Sequence, residues 1–109
     1  MVKLPDLMTA IEISSPGGPE VLVAAQRPLP VPGAGELLLK VAYAGVNRPD
    51  VIQRKGLYPA PPGASDLPGL EVSGTVVAVG ADVDPAIIGN AYCALVSGGG
   101  YAEYCLARM

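Results

Sequence analysis

Few residues in this chain could do chemistry unaided, and the missing ones narrow the field. Histidine is absent, which excludes a His-based triad, a His general base and the commonest zinc ligand sets. Cys93 and Cys105 are too few for a disulfide-stapled mini-protein and cannot supply a four-ligand zinc site by themselves, so no metal site is expected. Seven basic residues against ten acidic ones leave a net charge of −3, which gives a nucleic acid no electrostatic footprint to bind.

The remaining polar candidates sit at the corners of a β-rich text. Thr9–Ile13 alternates and is followed by the turn cluster Ser15-Pro16-Gly17-Gly18-Pro19; Val21–Arg27 resumes the pattern, so the two runs read as a hairpin. Pro28 to Gly35 is a stiff, extended crossing. Glu36–Val46 is the longest strand candidate, with Leu37, Leu39, Val41 and Tyr43 on one face. Asn47 ends it as a helix N-cap, Pro49 sits near N1, and Asp50 puts negative charge at the positive end of the dipole. A short helix is expected over Pro49–Lys55, with Gly56 as its stop. Residues 57–69 form a long proline-stiffened loop, Glu71–Val79 a second confident strand. Ala91–Val96 and Tyr101–Leu106, flanking Ser97-Gly98-Gly99-Gly100, read as a final hairpin. Across such a hairpin Cys93 and Cys105 would lie nearly opposite, although in a reduced chain two packed thiols are the favoured state.

These elements fill 109 residues, enough for one domain. Half the residues are hydrophobic and 16% are charged, so there is apolar area for a core and global disorder is excluded. No run approaches the ~18 apolar residues of a membrane span, and the N-terminus lacks the apolar region of a signal peptide. A cytoplasmic, reduced protein is the default. Met8 stands just before the first strand-like run, so residues 1–7 read as a leader or cloning scar and 8–109 as the domain. The pattern implies a mainly β, small and partly open barrel with one short helix.

Six motifs in order give a resemblance: Gly17-Gly18-Pro19-Glu20-Val21-Leu22, Gly45-Val46-Asn47-Arg48-Pro49-Asp50, Gly56-Leu57-Tyr58-Pro59, Gly69-Leu70-Glu71-Val72-Ser73-Gly74, Val77-Ala78-Val79-Gly80 and Gly98-Gly99-Gly100-Tyr101-Ala102-Glu103-Tyr104. Together they resemble the N-terminal GroES-like domain of the zinc-independent, zeta-crystallin-like quinone oxidoreductases of the medium-chain dehydrogenase/reductase superfamily, over residues 9–107. Zinc-dependent relatives carry a cysteine and a histidine where this chain has Asn47 and Leu70, which points to the zinc-free branch. The resemblance implies NADPH-dependent reduction of a quinone or enone by the parent enzyme, with Asn47 and Tyr58 facing the cleft and Ile52 as an apolar wall.

Each candidate also has a plainer role: Asn47 as a helix cap, Tyr58 packing in its loop against Pro59 and Pro62. Glu71 could be a relic of a metal ligand, but a satisfied structural carboxylate is the commoner case. Arg48, Arg54 and Lys55 could meet a cofactor phosphate, but cations around one helical turn read first as a solvated face. Two departures from the family stand out. Asp84 to Ala91 replaces the usual Val-Gly-Asp approach to the last hairpin with Ile87, Ile88 and Asn90. The glycine fingerprint of a nucleotide-binding domain is also lacking, since Gly98-Gly99-Gly100 precedes a strand and not a helix.

The chain is therefore read as truncated before that domain, with no cofactor of its own and no catalysis expected from it alone. Hydride transfer needs its donor held within about 3–3.5 Å. The competing reading is a non-catalytic β-barrel module. A co-chaperonin, which uses the same barrel, is disfavoured because the loops here are proline-stiffened. A homodimer is expected, because no charged residue occurs from Pro85 through Ala102 and Ile87, Ile88, Tyr92, Leu95 and Val96 cannot all face one small core.

Overall fold

The computed structural model describes residues 4–109. Of the 1–7 stretch read as a leader, residues 1–3 lie outside the described residues. Leu4 packs against the core and Leu7 opens the first strand. Six strands and one α-helix follow in chain order: β1 (Leu7–Ile13), β2 (Leu22–Pro28), β3 (Glu36–Ala44), α1 (Arg48–Arg54), β4 (Glu71–Val79), β5 (Ala91–Leu95) and β6 (Tyr104–Arg108). A 3-10 turn, Pro19–Val21, precedes β2; another, Pro85–Ile87, follows β4.

The strands make two sheets. β1 and β2 pair antiparallel, from Leu7 opposite Pro28 to Ile13 opposite Leu22, as the alternating text around a Pro/Gly turn predicts. The other four lie in the order β5-β4-β3-β6, all antiparallel. The sheet curls without closing, so the partly open barrel holds. The segment Tyr101 to Glu103 joins the two sheets. Ile11 donates its N–H to the Tyr101 carbonyl at 2.8 Å, Glu103 donates to Thr9 at 3.1 Å, and Val41 donates to Glu103 at 2.8 Å.

The expected hairpin of the last two strands does not form. β5 pairs with β4 and β6 with β3, which puts two strands between them. The Ser97–Glu103 connection is consumed in bonds to Leu67, Pro68, Gly69 and β1, so it cannot act as a tight turn. The inferred proximity of Cys93 and Cys105 fails with it. Cys93 faces Ser73 and Cys105 faces Leu39, and both thiols are free.

The core has two clusters because β3 is covered on both faces. Leu37 and Leu39 pack inside the curl with Val72, Val76, Cys105 and Ala107. Leu38, on the opposite face, packs with Met8, Ala10, Leu67 and Tyr104. Burying each such leucine contributes about 1.5–3 kcal/mol, and all three are at most 1% exposed. The single inward face read for β3 is therefore incomplete. Tyr43 also departs from it, being 77% exposed. The register of β3 on β4 slips between Val41 and Tyr43, and an extra residue in one strand turns the next side chain to the other face. Gly74, opposite Val41 in this irregular stretch, lets the backbones approach: a Cβ there would overlap the Lys40 carbonyl oxygen.

Helix α1 starts one residue before its expected position. Asn47 is its N-cap, Pro49 lies in its first turn, and Gly56 follows the Lys55 C-cap with φ +84°, the conformation glycine adopts at least cost. At only seven residues it depends on packing. The Arg54 guanidinium and carbonyl both bond Gly17, anchoring its C-terminal end to the β1–β2 turn.

Candidate functional site

The corner between β3 and α1 brings two of the sequence-predicted polar residues, Asn47 and Glu71, together. As β3 ends, Gly45 donates its N–H to the Glu71 carbonyl at 2.9 Å, tying the corner to the first residue of β4. The Glu71 carboxylate lies close over Gly45, where a Cβ would overlap Oε1. There it accepts a hydrogen bond from Asn47 Nδ2 at 3.3 Å. Asn47, half-buried, is thus both the helix cap and one member of a polar pair. Glu71, exposed, is partnered rather than solitary.

Asp50 occupies N3 of α1 and completes a capping box with Asn47: its Oδ2 accepts the Asn47 backbone N–H at 3.0 Å. It is only 5% exposed. Oδ2 also accepts the Tyr101 hydroxyl at 2.9 Å, and Oδ1 accepts the Gly69 N–H at 3.3 Å. Burial, followed by the adjacent Asp50 carboxylate, pushes the Tyr101 hydroxyl up to about 12. Among the described residues no buried side-chain polar atom lacks a partner.

The other two expected residues lie farther along. Ile52 is half-buried on α1, and Tyr58 is half-exposed on the loop after it. The hydrogen bonds of the described residues do not link Tyr58 to the Asn47–Glu71 pair. Arg48 and Lys55 are exposed and make no ion pair among the described residues, consistent with a solvated face, whereas Arg54 is engaged with Gly17. Val46 and Leu57, in the segments before and after the helix, stand exposed. Among the described residues no group of three or more Cys, Asp or Glu side chains could hold a metal ion, and no helix is long and apolar enough to cross a membrane.

From sequence alone Asp50 is only a charge near the helix dipole, and Tyr101 has no role. Their contact spans 51 residues and has no local signature. The capping pair Asn47-x-x-Asp50 is the one signal that could have drawn attention to Asp50.

Comparison with known proteins gives a consistent result. Residues 33–109 match the alcohol dehydrogenase GroES-like domain family. Quinone oxidoreductase from Lama guanicoe is 41% identical over 103 residues, and the Homo sapiens protein of the same name is 36% identical; each alignment covers 93% of this chain and 31% of the relative. Among solved structures, a mycobacterial quinone oxidoreductase superposes with TM-score 0.78 at 42% identity, covering 93% of this chain and 31% of its own. A mycobacterial structure complexed with NADPH gives 0.75 at 40% identity, covering 93% of this chain and 30% of its own. The chain spans about a third of the length of the relatives it matches.

Proposed function

Because the chain belongs to the alcohol dehydrogenase GroES-like domain family of the medium-chain dehydrogenase/reductases, we propose that it is the substrate-side domain of a zinc-independent quinone oxidoreductase. The observation that carries this reading is the exposed Asn47–Glu71 pair at the β3–α1 corner, in a chain whose quinone oxidoreductase relatives align over 93% of its length. Asn47 Nδ2 carries two N–H groups. One is directed to Glu71, and the second has no partner among the described residues, so it can donate to a quinone or enone oxygen. The family resemblance assigns Ile52 the role of an apolar wall and has Tyr58 face the same cleft. The corner residue is an amide, which is a poor zinc ligand, and this supports zinc independence.

NADPH is the cofactor this reading assigns to the full-length family. When bound it supplies a hydride, and a proton from water completes reduction of the quinone to the hydroquinone. On this reading these 109 residues offer the reacting side, since no Gly-x-Gly-x-x-Gly segment among them enters a helix to grip the pyrophosphate. Taken by themselves they are expected to turn over no quinone. The test is chemical-shift mapping with a simple benzoquinone. Selective shifts at Asn47, Ile52 and Tyr58 support the reading; shifts scattered over the surface, or none, defeat it.

A second reading, a self-associating module, is favoured by the exposure of Leu95 at 84% and Ile88 at 47%. Ile87, Tyr92 and Val96 turn partly into the core, whereas these two do not. Unpaired apolar side chains beside the β5 edge offer a second copy both contact area and a strand to pair with.

A further inference from the structure

Asp50 is the buried charged side chain among the described residues, and no ion pair accompanies it. A carboxylate withdrawn from water is tolerated when hydrogen bonds replace its lost solvation. Three donors do so here, from three separate segments: the Asn47 N–H from the corner before α1, the Gly69 N–H from the end of the long loop, and the Tyr101 hydroxyl from the β5–β6 connection. Capping a helix requires only the first of these bonds. The other two tie the helix to a backbone clasp, in which Gly100 donates to Gly69 and Tyr101 to Pro68, both at 3.0 Å. Gly69 stands two residues before Glu71, so the clasp governs where β4 begins. The Asn47–Glu71 bond itself is exposed and 3.3 Å long. Such a contact holds only if the two backbones are fixed, and errors of about 1 Å matter at a reacting centre.

We propose that Asp50 is the positioning residue of this site, holding Asn47 and Glu71 at hydrogen-bond distance through its three donors, with Tyr101 locking the carboxylate in place. The proposal rests on the reading that the Asn47–Glu71 pair faces substrate. Asp50 touches no substrate; it acts through its two neighbours.

The test is nuclear magnetic resonance of the 109-residue chain. In the native chain the Glu71 carboxylate displaces the Asn47 side-chain amide resonances, a response that Glu71→Gln removes. In Tyr101→Phe, which keeps the ring and loses only the hydroxyl, the response falls by half or more while β3 and β4 amides keep their shifts. Asp50→Asn abolishes it if the variant folds, and Tyr101→Phe decides if it does not. An unchanged Asn47 response in Tyr101→Phe overturns the proposal, as does a loss spread evenly over the sheet. Benzoquinone mapping is read separately. Absence of quinone shifts with an intact Asn47 response defeats the functional reading and leaves the positioning role standing.

Discussion

Cys93 and Cys105 lie on the two opposite edge strands of the four-stranded sheet, one exposed and the other sealed in the core beside Leu39. Their thiols should differ in reactivity. Burial pushes Cys105 up to about 11, leaving little thiolate near pH 8. Titration with a disulfide reagent at pH 8 is expected to modify one thiol quickly and the second only after denaturant is added. Cys93→Ser should abolish the fast phase, and two fast equivalents, or an intramolecular disulfide in oxidised protein, would contradict the fold.

Tyr101 provides a pH signature of the buried node. Its ionisation is raised from 10.0 to about 12, so the folded state favours the protonated hydroxyl. The associated stability is fully present below pH 10 and is lost as pH rises through 12. Spectrophotometric titration should show a late-ionising tyrosine. Tyr101→Phe should remove that late step and flatten the alkaline part of the stability curve.

Two glycines test the geometry by contrast. At Gly74 an added Cβ meets the Lys40 backbone, which cannot yield without moving β3. At Gly45 it meets the end of the Glu71 side chain, which can swing away. Gly74→Ala is therefore expected to cost about 1–3 kcal/mol or more in urea unfolding. Gly45→Ala should cost under ~1 kcal/mol while displacing Glu71 and shifting the Asn47 side-chain resonances. Equal destabilisation by both would show that the corner is less open than described.

Self-association through the last third of the chain is expected at tens of micromolar. Light scattering should report a species above 11.0 kDa that falls back on dilution, and Ile88→Asp should dissociate it. A monomer that ignores concentration would remove the second functional reading.

Much of this structure was legible because its signals are local. The β1–β2 turn, the Asn47 cap, the Gly56 stop and the span of β4 each follow from residues within a few positions of one another. What escaped was non-local. Nothing near Tyr43 announces the register slip that turns it outward, and a glycine run between two strand-like segments looks like a hairpin until its bonds go to Leu67 and Gly69 instead. The same holds at the site. Asn47 could be picked out by resemblance and by its position at a strand end, but its bond to Glu71 crosses 24 residues and Asp50's burial depends on segments that converge only in three dimensions.

The strap from Tyr101 to Glu103 also bears on how the chain acquires its shape. Thr9 donates to the Glu103 carboxylate across 94 residues, and among the described residues the free edge of β1 is hydrogen-bonded by that strap. During ribosomal synthesis the β1–β2 ribbon can form early, yet a lone two-stranded ribbon is marginal in water. It must wait, edge open, until Glu103 has emerged. Contacts of such long reach slow folding, so the interval before Glu103 appears is when the nascent protein is most exposed to mispairing and to capture by chaperones.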